Sequence, residues 1–526
     1  MTSALSPQIA AAVSRALAAG EGFVEEIEAD NFAGGGGASE GIKRATGRDV
    51  KIAVNHNPEA LGMHQINHPG ADHYCEDVFA VDPVQATRGR PVGLAWFSPD
   101  CRHFSKAKGG KPVERKIRGL AWVAVKWAKL VRPRIICIEN VSEILTWGPL
   151  LEDNTPDPDK KGITFKRFVT TLRNLGYDVD WRELVAADYG APTTRKRLFI
   201  IARCDGAPIV WPKATHSKNG EIIGTRPWRT AAEIIDWGLP CPSIFLSKKE
   251  GKLAGVKRPL VPATLRRIFT GLRRYVLESE NPFIVPMQYA LNMKGGEDRG
   301  TLHTQLEMFD RPGAARLVVP TLIQTGYGER PGQTPRVPGL DKPLGTVVAC
   351  GVKHAVVAAF LAKHYGGVVG HRVDRPTSTI TSKDHHALVA ARLEIAKPFS
   401  GDDHFQEVRA FMLKYYSEGG QHSGVDEPVH TIPTKARMGL VTVSGYDYQV
   451  TDIGMRMLAP EELYRAQGFG NHYIHRYTAD GRSLSVSAQT RMCGNSVSPD
   501  QAEAVVRANY TPQRYMESDV AIAAAA

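Results

Sequence analysis

One cysteine stands in a setting that could make its thiol a nucleophile. Cys101 follows the apolar run Val92–Phe97, in a stretch that also carries Arg102, Lys106 and Lys108. Cationic neighbours and exposure lower the pKa of a thiol and favour the reactive thiolate. Because a single cysteine is more often an inert, buried thiol, the prediction of a nucleophile depends on residues elsewhere in the chain.

A carboxyl group and two guanidinium groups follow or precede later apolar runs. Glu139 ends the run 135–138, where partial burial would raise its pKa and allow it to donate a proton. The alternative is a solvated charge. Arg195 and Arg197 alternate at the start of the run 198–202, so they are predicted to point to one side and could hold a base carbonyl and a phosphate. The alternative for this pair is a basic strand edge that resists aggregation.

A glycine-rich turn at residues 31–37 follows a strand-like segment and precedes a helix-like one. Missing side chains allow a backbone to approach a ligand closely. The full dinucleotide pattern is absent, because Ser39 occupies the place of its third glycine and His56, rather than a carboxylate, ends the next strand. Nicotinamide binding is therefore disfavoured.

These residues need a scaffold, and the pattern around them predicts one. Apolar runs at 51–54, 92–97, 135–138 and 198–202 are separated by helix-like stretches that include 119–130 and 165–175. This alternation indicates a doubly wound α/β fold, with a parallel sheet and crossover helices. Ligands bind such sheets beyond the carboxyl ends of the strands. Three candidate segments fall there: the glycine-rich turn, residues 98–105 and residues 139–141.

The composition is that of a globular protein of two or three domains. The chain has 526 residues, of which 42% are hydrophobic and 23% charged. Its seven cysteines are scattered without a C-x-x-C pair, which argues against a disulfide framework and against structural zinc, so no metal is expected. With no stretch of 18 unbroken apolar residues and no leader pattern, we expect a cytoplasmic protein without membrane association.

The net charge of +11 is compatible with a polyanionic partner. Four arginines, Arg266, Arg267, Arg273 and Arg274, recur at a spacing of seven within a predicted helix at 263–277. That spacing is two helical turns, so the arginines are predicted to share a face suited to DNA phosphates. An ordinary solvated surface is the alternative.

Taken in order, these segments resemble the motifs of the DNA cytosine-5 methyltransferase family. The matching segments are residues 32–37, 98–105, 139–141, 193–197, 456–462, 467–469 and 494–497. The resemblance covers roughly residues 24–215 and 456–509. The sequence departs from the family pattern in three places: Asp100 and Arg102 flank the nucleophile, Thr193 stands where relatives carry Gln, and His56 replaces the carboxylate that in many relatives holds the cofactor ribose.

The resemblance implies a Rossmann-like domain that binds S-adenosyl-L-methionine and a smaller, β-rich target recognition domain. Phe32, Gly34, Gly36 and Gly37 would line the cofactor pocket. His56 would lie at the ribose, Asp77 would bind the adenine amine, and Asn495 with Ser496 would close the methionine end.

The implied activity is transfer of a methyl group to C5 of a cytosine flipped out of duplex DNA. Cys101 would attack C6 of the base, Glu139 would protonate N3, and Arg195 and Arg197 would position the base. An RNA cytosine-5 methyltransferase and a catalytically silent DNA-binding regulator are alternatives. A monomer is expected, and the existence of a cognate restriction endonuclease is left open.

The predicted domain order follows from these assignments. Residues 1–20 form an extension, 21–210 the catalytic domain, 211–455 the variable region, 456–518 a return to the catalytic domain and 519–526 a frayed tail. Within the variable region a D-x-P-x-x-T pattern recurs at 341–346, 374–379 and 426–431, each copy followed by an apolar pair. These repeats predict a β-rich module built from hairpin-like units.

Overall fold

The structure, a computed structural model, describes residues 23–100, 119–153, 155–236, 239–274, 285–286, 316–324, 333–347, 349, 354–363, 411, 440–443 and 446–516. The chain divides into two compact units. The first contains the described residues within 1–234, 342–352 and 459–526, and the second contains those within 235–341 and 353–458. The boundary thus lies at 234, later than the predicted 210, and a short segment around 342–352 returns to the first unit.

Strands and helices are numbered in chain order. The strands are β1 Phe23–Glu25, β2 Ile27–Asn31, β3 Ile52–Val54, β4 Asp72–Tyr74, β5 Val92–Phe97, β6 Ile135–Asn140, β7 Asp178–Val185, β8 Lys196–Arg203, β9 His216–Ser217, β10 Arg226–Pro227, β11 Val285–Pro286, β12 Arg316–Gln324, β13 His354–Lys363, β14 Leu440–Val443, β15 Tyr446–Met457 and β16 Arg514–Met516. The helices are α1 Gly37–Thr46, α2 Pro58–Asn67, α3 Pro83–Thr87, α4 Trp122–Leu130, α5 Ile163–Asn174, α6 Lys248–Leu253, α7 Pro262–Leu272, α8 Pro460–Ala466, α9 Val486–Asn495 and α10 Pro499–Asn509.

The first unit is built on a seven-stranded sheet of order β4-β3-β2-β5-β6-β8-β7. The five strands from β4 to β6 are parallel, as predicted for a doubly wound α/β fold. Chain order reverses at β2, whose neighbours are β3 on one side and β5 on the other. The glycine-rich turn therefore leaves the sheet at its topological switch point, where such folds bind ligands.

One prediction about this sheet was wrong. The run 198–202 lies in β8, which is antiparallel to β6 and to β7 rather than parallel to its neighbours. The reason is β7, a strand that the sequence pattern did not reveal. Ten residues link β7 to β8, too few for a crossover helix, so β8 folds back along β7 and enters the sheet between β7 and β6.

Hydrophobic side chains cover both faces of the central strands. Phe97, Trp127 and Phe168 are buried in the cluster on one face, and Trp96 and Phe199 in the cluster on the other. Burial on both faces explains why β5 and β6 are near-continuous apolar runs. Full burial of each such side chain contributes about 2–3 kcal/mol, which fixes the register of the strands that carry the candidate residues.

The second unit contains a five-stranded antiparallel sheet of order β11-β12-β13-β15-β14. Two of the apolar pairs that follow the repeats lie on its strands, Val356 and Val357 on β13 and Leu440 and Val441 on β14. The second and third D-x-P-x-x-T copies, 374–379 and 426–431, lie outside the described residues. No helix among the described parts of the chain is long and apolar enough to cross a membrane.

Candidate functional site

The glycine-rich turn packs directly against residues near the end of the chain. Gly36 has a φ of 91° and caps α1, and a Cβ atom there would lie 2.2 Å from the Tyr473 hydroxyl. A Cβ atom at Gly37 would lie 2.0 Å from Ser496 Oγ and 2.3 Å from the Val497 carbonyl oxygen. Only glycine fits at these two positions, and the structure brings two motifs together that are 459 residues apart in the chain (496 minus 37).

Two further predicted cofactor residues lie at the same edge of the sheet. His56 is exposed and follows β3 by two residues, and Asp77 follows β4 by three. One carboxylate oxygen of Asp77 accepts a hydrogen bond from the Phe79 backbone amide at 3.1 Å. Because β3 and β4 are parallel neighbours, both residues face the carboxyl edge where the glycine-rich turn begins.

Phe32 and Gly34 are half-buried within that turn, and both adopt positive φ values, 66° and 53°. A positive φ is unusual for phenylalanine and marks a tightly bent backbone. Asn495 is exposed at the end of α9, while Ser496 beside it is buried and donates from its hydroxyl to the Val497 carbonyl at 3.1 Å.

The carboxyl end of β6 carries a buried ion pair. Glu139 is 6% exposed, and its Oε1 lies 3.1 Å from Arg197 Nε on the neighbouring strand β8. The next residue, Asn140, donates from its side-chain amide to the Pro99 carbonyl at 3.0 Å. These contacts fix the proton-donor candidate and the backbone two residues before Cys101 relative to each other.

Cys101 itself lies outside the described residues, but the segment leading to it is held from both sides. The Ser98 backbone amide donates to the Asn31 carbonyl at 3.2 Å, which links the end of β5 to the glycine-rich turn. The buried indole of Trp96 donates to Ser98 Oγ at 2.9 Å. The start of the nucleophile segment is therefore anchored at the carboxyl edge of the sheet.

Several other cysteines are poor candidates for a nucleophile. Burial raises the pKa of Cys137 and that of Cys241 to about 12, and it also raises the pKa of Cys493 and of Cys204. Thiols with such pKa values remain protonated near neutral pH and are inert. Cys75 is exposed and lies two residues before Asp77, and no prediction assigns its thiol a chemical role.

Arg195 and Arg197, which were expected to act together, make different contacts. Arg195 is 2% exposed, and its Nη1 donates to the carbonyls of Val347, at 3.2 Å, and Gly494, at 3.1 Å. It precedes β8 rather than lying within it. In this arrangement Arg195 ties three separated chain segments together, and Arg197 is the member of the pair that reaches Glu139.

The first D-x-P-x-x-T copy supplies part of this anchoring. Leu344 forms a β-bridge with Thr193, and its amide donates to the Pro192 carbonyl at 2.8 Å. Thr193, which stands where relatives carry Gln, is fully buried and donates to the Gly345 carbonyl at 3.3 Å. The sequence showed the repeat but gave no sign that its first copy packs against the arginine motif.

The structure corrects the predicted arginine face. Arg266, Arg273 and Arg274 are exposed, but Arg267 is only 3% exposed and packs into the second unit. Helix α7 ends at Leu272, so Arg273 and Arg274 lie just beyond it, and the predicted residues 275–277 fall outside the described part. The seven-residue spacing placed Arg267 on the same face, yet adjacent residues are 100° apart on a helix, and here that rotation places Arg267 in the core.

Comparisons with known proteins agree with the resemblance over the first part of the chain. Residues 28–226 match the model of the C-5 cytosine-specific DNA methylase family. The type II methyltransferase M1.HphI of Haemophilus parahaemolyticus is 28% identical over 268 residues, which are 48% of this chain and 68% of that protein. The type II methyltransferase M.XorII of Xanthomonas oryzae is 30% identical over 210 residues, 38% of this chain and 46% of that protein.

A solved structure of the S. pombe Dnmt2 methyltransferase, 12% identical, covers 92% of this chain and 97% of that chain at a TM-score of 0.40. The family match, the curated relatives and the doubly wound sheet agree on the class: residues 28–226 are similar to the C-5 cytosine-specific DNA methylase family. The chain spans less than half of the length of M.XorII and of two further type II methyltransferases, M.AgeI of Thalassovita gelatinovora and M.SacI of Streptomyces achromogenes.

Proposed function

We propose that this protein is a DNA (cytosine-5-)-methyltransferase that acts on a cytosine flipped out of duplex DNA. The arrangement at the ends of β5 and β6 carries the proposal. There the buried Glu139 is held by Arg197, and Asn140 fixes the backbone at Pro99, two residues before Cys101. Attack on a pyrimidine ring needs a nucleophile and a proton donor close together, and here the two candidates follow or end adjacent parallel strands in the sequence.

S-adenosyl-L-methionine fits the residues at the switch point. Among the described residues, neither side-chain polar atom of the buried Asn31 has a hydrogen-bond partner, although Asn31 ends β2 directly before the glycine-rich turn. A buried, unsatisfied amide is costly, and a polar ligand at this edge would satisfy it. The N-terminus of α1 would favour the methionine carboxylate, and Asp77 and His56 would face the adenine and ribose. When bound, the cofactor supplies an electrophilic methyl group.

In the proposed mechanism the Cys101 thiolate adds to C6 of the cytosine, and the electron pair of the C5–C6 double bond moves into the ring. Glu139 delivers a proton to N3, so the adduct is a neutral enamine whose C5 is nucleophilic. After C5 gains the methyl group, loss of the C5 proton, elimination of the thiolate and return of the N3 proton to Glu139 restore the aromatic ring. Because none of these atoms is accessible within a stacked duplex, the base must leave the helix.

Arg197 would have two roles in this sequence. Before the base arrives, its guanidinium orients the Glu139 carboxyl through the contact at 3.1 Å. A base carbonyl entering the site would offer the guanidinium a second acceptor, which frees Glu139 to reach N3. Arg195 would act indirectly, by holding the segments at Val347 and Gly494.

The exposed Arg266, Arg273 and Arg274 would contact DNA phosphates. A companion restriction endonuclease and a monomeric state remain predictions.

The decisive experiment uses a bacterial host without cytosine methylation. The native chain, Cys101→Ala and the control Cys75→Ala are expressed in it, and 5-methylcytosine is mapped by bisulfite sequencing. We expect methylation at a short recurrent sequence with the native chain and the control and none with Cys101→Ala. Equal methylation by Cys101→Ala would refute the assigned nucleophile. If the native chain leaves DNA unmodified, competition between duplex DNA and structured RNA tests the RNA alternative, and failure to trap 5-fluorocytosine DNA covalently supports the silent regulator.

A further inference from the structure

A chain of four polar side chains runs from the end of β2, through α1 and α2, to β4. Ser39 Oγ lies 2.7 Å from Asp30 Oδ2 and 2.9 Å from His64 Nε2. The other ring nitrogen of His64 lies 2.8 Å from His73 Nε2. Asp30, Ser39 and His64 are fully buried, while His73 is half-buried. The mechanism described above uses none of these groups.

A count of the hydrogen-bond donors among these four side chains shows that they need one titrating proton. His73 also hydrogen bonds to the Ala71 backbone in a way that favours the protonated ring, so one ring N–H of His73 is committed there. If His73 is otherwise neutral, its Nε2 accepts from His64, His64 Nε2 accepts from Ser39, and Asp30 must be protonated to donate to Ser39. If Asp30 is ionised, every bond reverses and His73 must carry the proton. All the bonds form only when one proton is shared between the two ends.

Loss of that proton breaks the chain at one point. With Asp30 ionised and His73 neutral, lone pairs of His64 Nδ1 and His73 Nε2 would face each other across 2.8 Å, and they repel. Burial raises the pKa of Asp30 to about 7, despite hydrogen bonds from the Ser39 hydroxyl and backbone that lower it. Burial lowers the pKa of His64 and that of His73, which places the proton mainly on Asp30. The proton is therefore retained below about pH 7 and lost above it.

Other charged groups face this chain from each neighbouring element. The ring of His68, the residue directly after α2, lies 4.7 Å from that of His64, and His68 contacts Asp49, which also pairs with Lys43 of α1. Asp72 on β4 adjoins His73 and favours its protonation. Near Asp30, the buried Tyr473 has a pKa raised by burial and by the charges of Glu40 and Asp30. Because Asp49 and Asp72 oppose the effect of His68, Asp30 and His73 remain the two places for the titrating proton.

We propose that Asp30, Ser39, His64 and His73 are positioning residues for cofactor binding, which hold the first turn of α1 on β2 through one shared proton. Ser39 is the third residue of α1. Gly36 caps this helix and Gly37 begins it, and both belong to the turn that would line the cofactor pocket. The inference rests on the proposed function, because it requires a cofactor at this turn. It predicts that cofactor affinity weakens as pH rises through about 7.

The test is calorimetric titration of the full chain with S-adenosylhomocysteine, which binds without reacting. For the native chain we expect the Kd to rise about threefold or more between about pH 6.5 and about pH 8.5, since one linked proton allows at most about tenfold per pH unit. Asp30→Asn replaces the acid by an amide that always donates to Ser39. It should bind with the low-pH affinity of the native chain at every pH.

Two further variants complete the design. Ser39→Ala removes the hydroxyl that joins Asp30 to His64. This variant should bind S-adenosylhomocysteine weakly and without pH dependence. His216→Gln changes a histidine of the first unit that is not hydrogen bonded to Asp30, Ser39, His64 or His73. It should keep the native dependence of the Kd on pH. Circular dichroism at each pH confirms folding. A flat native profile, or an Asp30→Asn profile with the native slope, would overturn the inference alone. Absence of binding at any pH would overturn the proposed cofactor together with the inference.

Discussion

Gly37→Ala tests whether the turn after β2 and the segment after α9 form one site. The new methyl group would lie 2.0 Å from Ser496 Oγ and 2.3 Å from the Val497 carbonyl oxygen. The hydroxyl can rotate away, but the carbonyl belongs to the backbone and moves only with its segment. We expect destabilisation of about 3 kcal/mol, at the upper end of the cost of overpacking a buried contact.

The matched control is Gly47→Ala at the other end of the same helix. Gly47 has a φ of 79°, but no atom of the described residues lies within 4 Å of the place that its Cβ atom would take. Alanine there costs only backbone strain, about 1 kcal/mol. The pair of variants separates close packing from conformational strain. Ser496→Ala combined with Gly37→Ala should recover part of the loss, because it removes the nearer of the two contacts.

Thermal stability and cofactor affinity are both measurable on the full chain. Differential scanning calorimetry should show the transition of Gly37→Ala lowered by about 6–12 °C and that of Gly47→Ala by about 2–4 °C. Titration with S-adenosylhomocysteine should show weaker binding for Gly37→Ala and nearly native binding for Gly47→Ala. If Gly37→Ala melts and binds like the native chain, the packing of this turn against Ser496 is refuted.

Three further changes have defined outcomes. Glu139→Gln should lower kcat about 100-fold or more in a tritium-transfer assay and leave DNA affinity near native, because the amide cannot deliver a proton to N3; native turnover would exclude Glu139 as the donor. Asn140→Ala removes the bond to the Pro99 carbonyl and should lower kcat about tenfold with little change in the Kd for DNA; an unchanged kcat would show that this bond does not position the nucleophile segment. Arg266→Ala combined with Arg273→Ala should reduce the slope of log K for DNA binding against log salt concentration by about two. Arg267→Ala, at a position that is 3% exposed, should lower thermal stability instead. An unchanged slope in the double variant would identify the exposed arginines as ordinary surface.

The parts of the fold that the sequence predicted are those with continuous apolar runs. Strand β5 matches the predicted run at both ends, because burial on both faces leaves no polar residue to blur its limits. Strand β7 escaped prediction, since an edge strand whose residues are mostly exposed or half-buried resembles a loop in composition. Missing β7 also produced the error in the direction of β8, which only the short β7–β8 connection determines.

The residues of the candidate site were likewise predicted only in part. Motif order was sufficient to name Glu139 and Arg197, which the structure places 3.1 Å apart. Spacing could not reveal that Arg195 bonds to the Gly494 carbonyl, because that contact joins residues 299 positions apart. His64 and His73 had no sequence signal either, since a buried histidine looks like any other until its neighbours are known. Burial of Arg267 likewise depends on which side of α7 meets β12.

The dependence of α1 on residues near the end of the chain has a consequence for biosynthesis. Helix α1 packs against α10, where a Cβ atom at Gly41 would lie 2.5 Å from the Ala502 side chain, and the Gly35 carbonyl accepts a hydrogen bond from Tyr473. A nascent chain presents β2 and α1 to the solvent long before the ribosome reaches α10, so the turn between them lacks its packing partners for most of translation. Truncated or unfinished chains therefore cannot complete this turn, and the protein gains its full site only when synthesis has passed residue 509.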